Sequence, residues 1–485
     1  MKKLISLLLA LVMCFGCAFT LISCGDDDST DNSGTTGGGN NNGDDDDTPP
    51  VSDGVMSYED FIAAEMESKV IVETYVQAKQ SWWFNSEKNT GLGTFYMQSP
   101  DGAYFVYEMP CTEEEYNTLT VGTKVKITGY KTAWEGEVEI IDATYEILDG
   151  NYIAPAIDAS GLLASDDLIN YQNFKVSFNY MQVVASNDAG DAFLYKWNGS
   201  GSQGDDIYFK ASVGGKTYTF VIESYLCGKD TDVYKAAESL KVGDFINMEG
   251  FLYWYAGAQP HITSIEKLEG VDTYTSYSSK IMESQVSVVT YVQAKQSWWY
   301  NSEKSTGLGT FYMQSPDGAY FVYEMPCTEE EYNSLEIGSR VLITGYKTEW
   351  EGEPEIIDAT FKKLEGSYIA KPINLSLEVL SGGGIVRFKN YKAAFEGLEI
   401  VASNDSGAAF LYKWNGSGSE GDDIYFKVKD SKGSSITLVI ESYLCGKDTE
   451  VYKAAQALKV GDIINIECFL YWYGGVQPHV TSITK

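Results

Sequence analysis

Two short strings hold the side chains best suited to grip a ligand. Lys79-Gln-Ser-Trp82-Trp83 recurs as Lys295-Gln-Ser-Trp298-Trp299, and Lys196-Trp197-Asn-Gly-Ser-Gly recurs as Lys413-Trp414-Asn-Gly-Ser-Gly. Indole rings stack on sugar rings, bases or partner side chains, and a neighbouring ammonium adds a donor. Successive strand residues point to opposite faces, so one tryptophan of each adjacent pair is expected at the surface or in a loop pocket. Groups for bond-breaking chemistry are sparse. His261 and His479 are the only histidines, each in Gln-Pro-His and without ligand-spaced partners, which gives no metal site. Asp188, Asp191, Asp205 and Asp206 lack the spacing of a calcium loop. No P-loop, dinucleotide-binding glycines, nucleophile elbow or zinc signature is present, so no catalytic residue, metal or cofactor is expected. A carboxylate pair of the glycosidase kind would converge only in three dimensions.

These strings lie within a duplication. Tyr75–Trp83 recurs unchanged as Tyr291–Trp299, Thr90–Asn117 as Thr306–Asn333, and Val221–Asp230 as Val439–Asp448, with offsets of 216 and 218. Residues 150–181 and their counterparts have drifted far apart, while the tryptophan loops and the Ser-Pro-Asp-Gly turns have not. A repeated loop on a diverged scaffold points to a repeated surface.

The elements around the loops follow from period and turn chemistry. A content of 14% aromatic residues with 35 tyrosines leans towards strands. Val70–Gln77 and Gly93–Gln98 alternate as strands, Ser99-Pro-Asp-Gly102 makes a turn, and Ala103–Met109 is a third strand. Thr112-Glu-Glu-Glu caps a short helix. Val121-Gly-Thr-Lys-Val-Lys-Ile-Thr-Gly129 and the run from Glu135 complete the set. Three strands, a short helix and two strands, with this Val-Gly fourth strand and a Trp-x-Gly hairpin, resemble the OB fold, a five-stranded Greek-key barrel. Phe174–Ala185, Asp206–Lys210, Thr217–Ser224, Asp230–Leu240, Val242–Gly250 and Pro260–Ile265 fit the same frame. The fold class implied is all-β with short helices: four OB-like barrels in an A-B-A-B array. They run over 56–149, 150–268, 269–366 and 367–485. Ser57–Ser68 and Tyr274–Ser284 read as short amphipathic helices packed on the A barrels, and Tyr253-Trp-Tyr255 as a strand with its Trp opposite the tyrosines.

Ahead of the barrels, Met1-Lys-Lys and the apolar run to Ile22 read as an export signal over 1–24. Leu21-Ile-Ser-Cys24 is similar to the bacterial lipoprotein signal, which implies lipid on Cys24 and an extracytoplasmic position on a bilayer. Residues 25–55, with eight aspartates before position 51 and little to bury, read as a disordered tether of about 25–30 Å reach. The chain carries −34; setting aside Lys2, Lys3 and those eight aspartates leaves −28 on the payload. That charge disfavours a phosphate backbone as partner. Cys111, Cys227, Cys327, Cys445 and Cys468 are odd in number and read as buried small hydrophobes, with a Cys111–Cys227 bridge and its copy as the alternative. Duplicated aromatic loops without catalytic groups point to a multivalent binding module for an extracellular glycan or protein. Single-stranded nucleic acid binding, a ligand-free stalk and a hydrolase accessory are the alternatives.

Overall fold

The computed structural model describes residues 54–378 and 383–485. Cys24 and nearly all of the tether lie outside the described residues. No helix among those described is long and apolar enough to cross a membrane.

The first barrel is built from β1 (Lys69–Lys79), β2 (Trp83–Asn85), β3 (Thr90–Gln98), β4 (Ala103–Pro110), β5 (Thr123–Trp134) and β6 (Glu137–Asn151), with helices α1 (Tyr58–Ala63) and α2 (Glu113–Thr118). β1 pairs with both β3 and β5, β6 joins β5 to β4, and the β4–β6 pairing is parallel. This closes the ring in OB order, with the short β2 added at the edge of β3. The strands alternate: Val70, Val72 and Val76 of β1, Phe95 and Met97 of β3, and Val125 and Ile127 of β5 point into one core. Thr112 and Glu115 form a capping box at α2. α1 stops at once because the Lys131 ammonium donates to the carbonyls of Phe61, Ile62 and Ala64 at 2.8 Å each. Lys347 does the same for the matching helix, Tyr274–Ser279. Both helices are shorter than the sequence pattern suggests, because these lysines end them.

The second barrel comprises β7 (Ile157–Asp158), β8 (Lys175–Val184), β9 (Phe193–Tyr195), β10 (Ile207–Val213), β11 (Lys216–Ile222), α3 (Asp232–Glu238), β12 (Phe245–Phe251) and β13 (His261–Leu268). β8, β12, β13, β11 and β10 form the ring, again closed by a parallel contact, Val221 to His261. The third and fourth barrels repeat both topologies. The chain is therefore mostly β, with four OB-like barrels in A-B-A-B order. Cys111, Cys227, Cys327, Cys445 and Cys468 are free and buried, so the bridge alternative falls: the paired candidates serve separate barrel cores.

Within each half, the B barrel covers one face of its A barrel. Tyr96 and Phe105, on the outer side of β3 and β4, are buried against Phe251. The Tyr96 hydroxyl meets His261 Nδ1 at 2.7 Å, and the His261 ring stacks on Tyr253 at 4.1 Å. The Glu137 carboxylate accepts from the Trp254 backbone N–H at 2.7 Å. Tyr312, Phe321, Phe469, His479 and Glu353 repeat this junction in the second half. A different contact joins the halves: Phe245, Val289 and Leu364 form a small buried cluster, and Arg340 donates to the carbonyls of Asn179, Tyr180 and Glu365.

Candidate functional site

OB barrels present ligands to the face of their second and third strands and to the loops that follow strands one and four. In the A barrels that face carries Tyr96 and Phe105, or Tyr312 and Phe321, and the following B barrel occupies it. On the same face of the B barrels Val221 and Val439 are buried, Tyr208 and Tyr425 are half-buried, and Trp197 and Trp414 beside them are exposed.

This B-barrel face has three parts. Its second strand, β10, turns Tyr208 outward, half-buried. The loop after the fourth strand brings exposed Tyr255. The loop after the first strand carries Trp197, which is 75% exposed, and its copy Trp414 is 76% exposed. Both loops are rigidly built beneath an exposed indole. The Lys196 N–H donates to Asp206 O at 2.8 Å, Gly199 N–H to Lys196 O at 3.1 Å, and Gly201 N–H to Tyr195 O at 3.1 Å. Lys196 adopts φ +59°, and a Cβ on Gly201 would come within 2.9 Å of the Tyr195 carbonyl carbon, so the turn needs glycine there. The loop's polar groups serve the loop, and the ring is left to solvent. In the last barrel, Trp414, Tyr425 and Gln477 border a hollow of about 170 Å³. Burial, with smaller contributions from Asp206, Glu223 and Tyr255, pushes the Tyr208 hydroxyl up to about 12, so it stays a neutral donor.

The lysines beside the tryptophans have internal partners. Lys196 pairs with Asp205 at 3.3 Å and Lys413 with Asp422 at 3.4 Å. Lys79 donates to the Tyr116 carbonyl at 2.7 Å and sits 3.8 Å over that ring, and Lys295 does likewise with Tyr332.

The adjacent tryptophans divide as strand geometry demands. Trp82 lies flat on Gly91, where a Cβ would come within 2.4 Å of its ring, and its indole N–H donates to Cys111 O at 3.0 Å. Trp298 repeats this against Gly307 and Cys327. Trp83 and Trp299, on short edge strands, are 40% exposed. They stand at the A–B junctions, where the second half has a cleft. In the second half Trp299, Tyr323 and Tyr443 enclose about 340 Å³ together with Glu324. Thus the structure separates the candidate residues: Trp197 and Trp414 stand exposed on the B barrels, Trp83 and Trp299 at the A–B junctions, and Trp82 and Trp298 half-buried against the A-barrel strands. Tyr253-Trp-Tyr255 is not the expected strand. Tyr253 stacks on His261, Trp254 covers Gly136, and only Tyr255 stands free. Sequence reasoning missed Tyr225 and Tyr443 of the junctions, because the backbone contact that brings them in, Ser81 N–H to Tyr225 O at 2.7 Å, spans two barrels. Among the described residues no group of His, Cys, Asp or Glu side chains is arranged to hold a metal.

Strand order defines a tandem OB-like barrel protein, with an exposed tryptophan on each B barrel. No protein-family profile matches the sequence, and no curated protein is similar to it. Among solved structures, the chain is similar to a murine DNA-binding protein bound to double-stranded DNA, at 9% identity and TM-score 0.23, over 42% of this chain and 98% of that one. It is similar to the Ifi202 HINa domain in complex with 20-bp double-stranded DNA, at 10% identity and TM-score 0.15, over 39% and 96%. A replication protein A heterotrimer bound to single-stranded DNA matches 87% of this chain over 95% of its own, at 8% identity and TM-score 0.16. Likeness at this level goes no further than the fold. One expectation is corrected: the payload's −28 does not make nucleic acid an unlikely partner, and the structures named above are themselves solved with DNA. Net charge sums the whole surface, whereas a ligand meets one face.

Proposed function

We propose that the protein is a non-catalytic, multivalent binding protein whose two B barrels take a glycan by stacking ring-shaped units on Trp197 and Trp414. The observation that carries this reading is the pair of three-quarters-exposed indoles on hydrogen-bonded loops at the B-barrel face. A rigid loop spends little entropy on binding, and an aromatic face suits a sugar ring. Tyr208 and Tyr255, with their copies Tyr425 and Tyr473, extend the platform. Two faces on one chain engage one polymer with avidity. In this reading lipid on Cys24 holds the barrels outside the cell; loss of lipid labelling in Cys24→Ala tests that part.

A second reading has its own observation: the same rings lie on the OB face that stacks bases in single-stranded nucleic acid binders. Glycan and oligonucleotide arrays probed with the chain, Trp197→Ala, Trp414→Ala and the double variant separate the two. On the glycan reading, each single variant loses about ten- to a hundredfold in avidity, the double variant loses binding, and salt has little effect. Oligonucleotide binding that falls steeply with salt supports the second reading. A double variant that binds as the parent does overturns both.

A further inference from the structure

The A–B junctions differ in chemistry from the B-barrel faces. Trp299, Tyr323 and Tyr443 present three partly exposed rings around about 340 Å³, with the Glu324 carboxylate at the wall. The first half carries the same parts. Trp83, Tyr107 and Tyr225 match their counterparts in exposure to within two percentage points, and Glu108 replaces Glu324. Both glutamates sit in the left-handed region, φ +48° and +46°, where a non-glycine residue is strained. A hydroxyl accepts each one's N–H at 3.1 Å: Thr94 for Glu108, Thr310 for Glu324. The surrounding fold holds this conformation twice.

Several polar groups of the cleft already have partners within the protein. Ser297 donates its hydroxyl to the Tyr443 carbonyl at 3.1 Å. The Gln296 amide faces the Tyr312 hydroxyl at 3.4 Å. Thr310 is taken by Glu324. The rest of the wall is three aromatic faces and the Glu324 carboxylate, which accepts from the Tyr323 hydroxyl at 3.0 Å. Lys304 already approaches Glu324 at 3.7 Å, with a side chain 63% exposed and easily displaced. A second carboxylate lies close. Glu355 is pushed up to about 7, first by burial and then by Glu324, and Glu139 likewise by burial and Glu108. A cation in the cleft would relieve that repulsion.

We propose that each A–B junction forms an aromatic cage for an organic cation of the quaternary ammonium class, held over Trp83, Tyr107 and Tyr225 or Trp299, Tyr323 and Tyr443 and balanced by Glu108 or Glu324. Ring quadrupoles attract a diffuse cation, and a carboxylate at the wall adds charge selectivity. The sites are separate from the B-barrel faces, and the inference stands whether those take glycan or nucleic acid.

The test is calorimetric titration of the full chain with choline and with 3,3-dimethylbutan-1-ol, its uncharged isostere. Two choline sites per chain are expected, with the isostere at least tenfold weaker. Glu108→Gln with Glu324→Gln should weaken choline at least fivefold, and Trp83→Ala with Trp299→Ala should abolish it, both with unchanged circular dichroism. Trp197→Ala with Trp414→Ala should leave choline binding as it is. Equal binding of the isostere, undiminished binding in the glutamate variant, or no choline binding overturns the proposal.

Discussion

Neighbouring residues of one type do different work here, and that separates their substitutions. Trp82 gives its indole N–H to Cys111 O and lies on Gly91, so Trp82→Ala should cost about 2–3 kcal/mol of stability, while exposed Trp83→Ala should cost less than about 1 kcal/mol. Thermal melts of the two variants check this; equal losses would remove the distinction. The sequence shows that one Trp of each pair must turn away, but not which, because the choice rests on Gly91 and Cys111 meeting across β3 and β4. Buried carboxylates give a second test. Glu353 is pushed up to about 8 by burial, opposed by hydrogen bonds from the Trp472 N–H and Asn390 and by Lys389, and helped by Glu355. Its Oε1 has no hydrogen-bond partner, which adds to the cost of holding the charged form there. Since the folded value lies above the ordinary one of 4.5, the contribution is complete below pH 4.5 and is lost as pH rises to about 8. Glu353→Gln, which keeps an acceptor and adds a donor, should therefore raise stability at pH 8–9 by on the order of 2–4 kcal/mol, with little change at pH 5. Chemical denaturation at the two pH values reads this out. His479 acts in the opposite sense. Burial pulls it down to about 3 from 6.5, so its contribution is present above pH 6.5 and is lost as pH falls towards 3.

At the scale of elements, strand order and the capped helix before the fourth strand were legible, because both rest on local period and turn chemistry. The junctions were not legible from one copy, because they pair residues far apart in the chain. They were legible as differences between copies. β1 and β5 carry Glu73, Lys124 and Lys126, ion-paired in part with one another and with Glu146. The matching strands of the third barrel carry Val289, Arg340 and Leu342, and there the second barrel docks. Charge gives way to apolar side chains where solvent gives way to protein. Arg340 is 1% exposed and supplies three backbone carbonyls, so its loss leaves buried acceptors without donors. Arg340→Ala should cost about 2–4 kcal/mol at that junction alone. Hydrogen exchange should quicken in β8 and in the strand Gln285–Lys295, and β3 and β4 should keep their protection. Uniform loss across all barrels would argue against a local role.

The same comparison bears on the whole molecule. A tandem array has two end faces, and each equivalent of the B1–A2 contact left unpaired is a potential head-to-tail joint that need not close on itself. In the first and last barrels the matching positions are charged or stripped. The first barrel offers Glu73–Lys124 and Lys126–Glu146 pairs where the third offers its docking face. The last barrel has Gly397 and an exposed Ile463 where the second has Tyr180 and buried Phe245, and a Glu399–Lys429 pair beside them. Side chains at these positions thus leave the first and last barrels without the apolar cluster that joins the second to the third. Converting the ends should undo this. Glu73→Val, Lys124→Arg and Lys126→Leu in the first barrel, with Gly397→Tyr and Ile463→Phe in the last, recreate both halves of the internal joint on one chain. Either set alone has no matching partner and should leave the mass in light scattering as in the parent. Both sets together should give a mass that climbs with concentration as chains join end to end. If the fully converted chain scatters like the parent, the internal joint depends on the short connection between barrels for its local concentration, and the charged ends are not what limits the array.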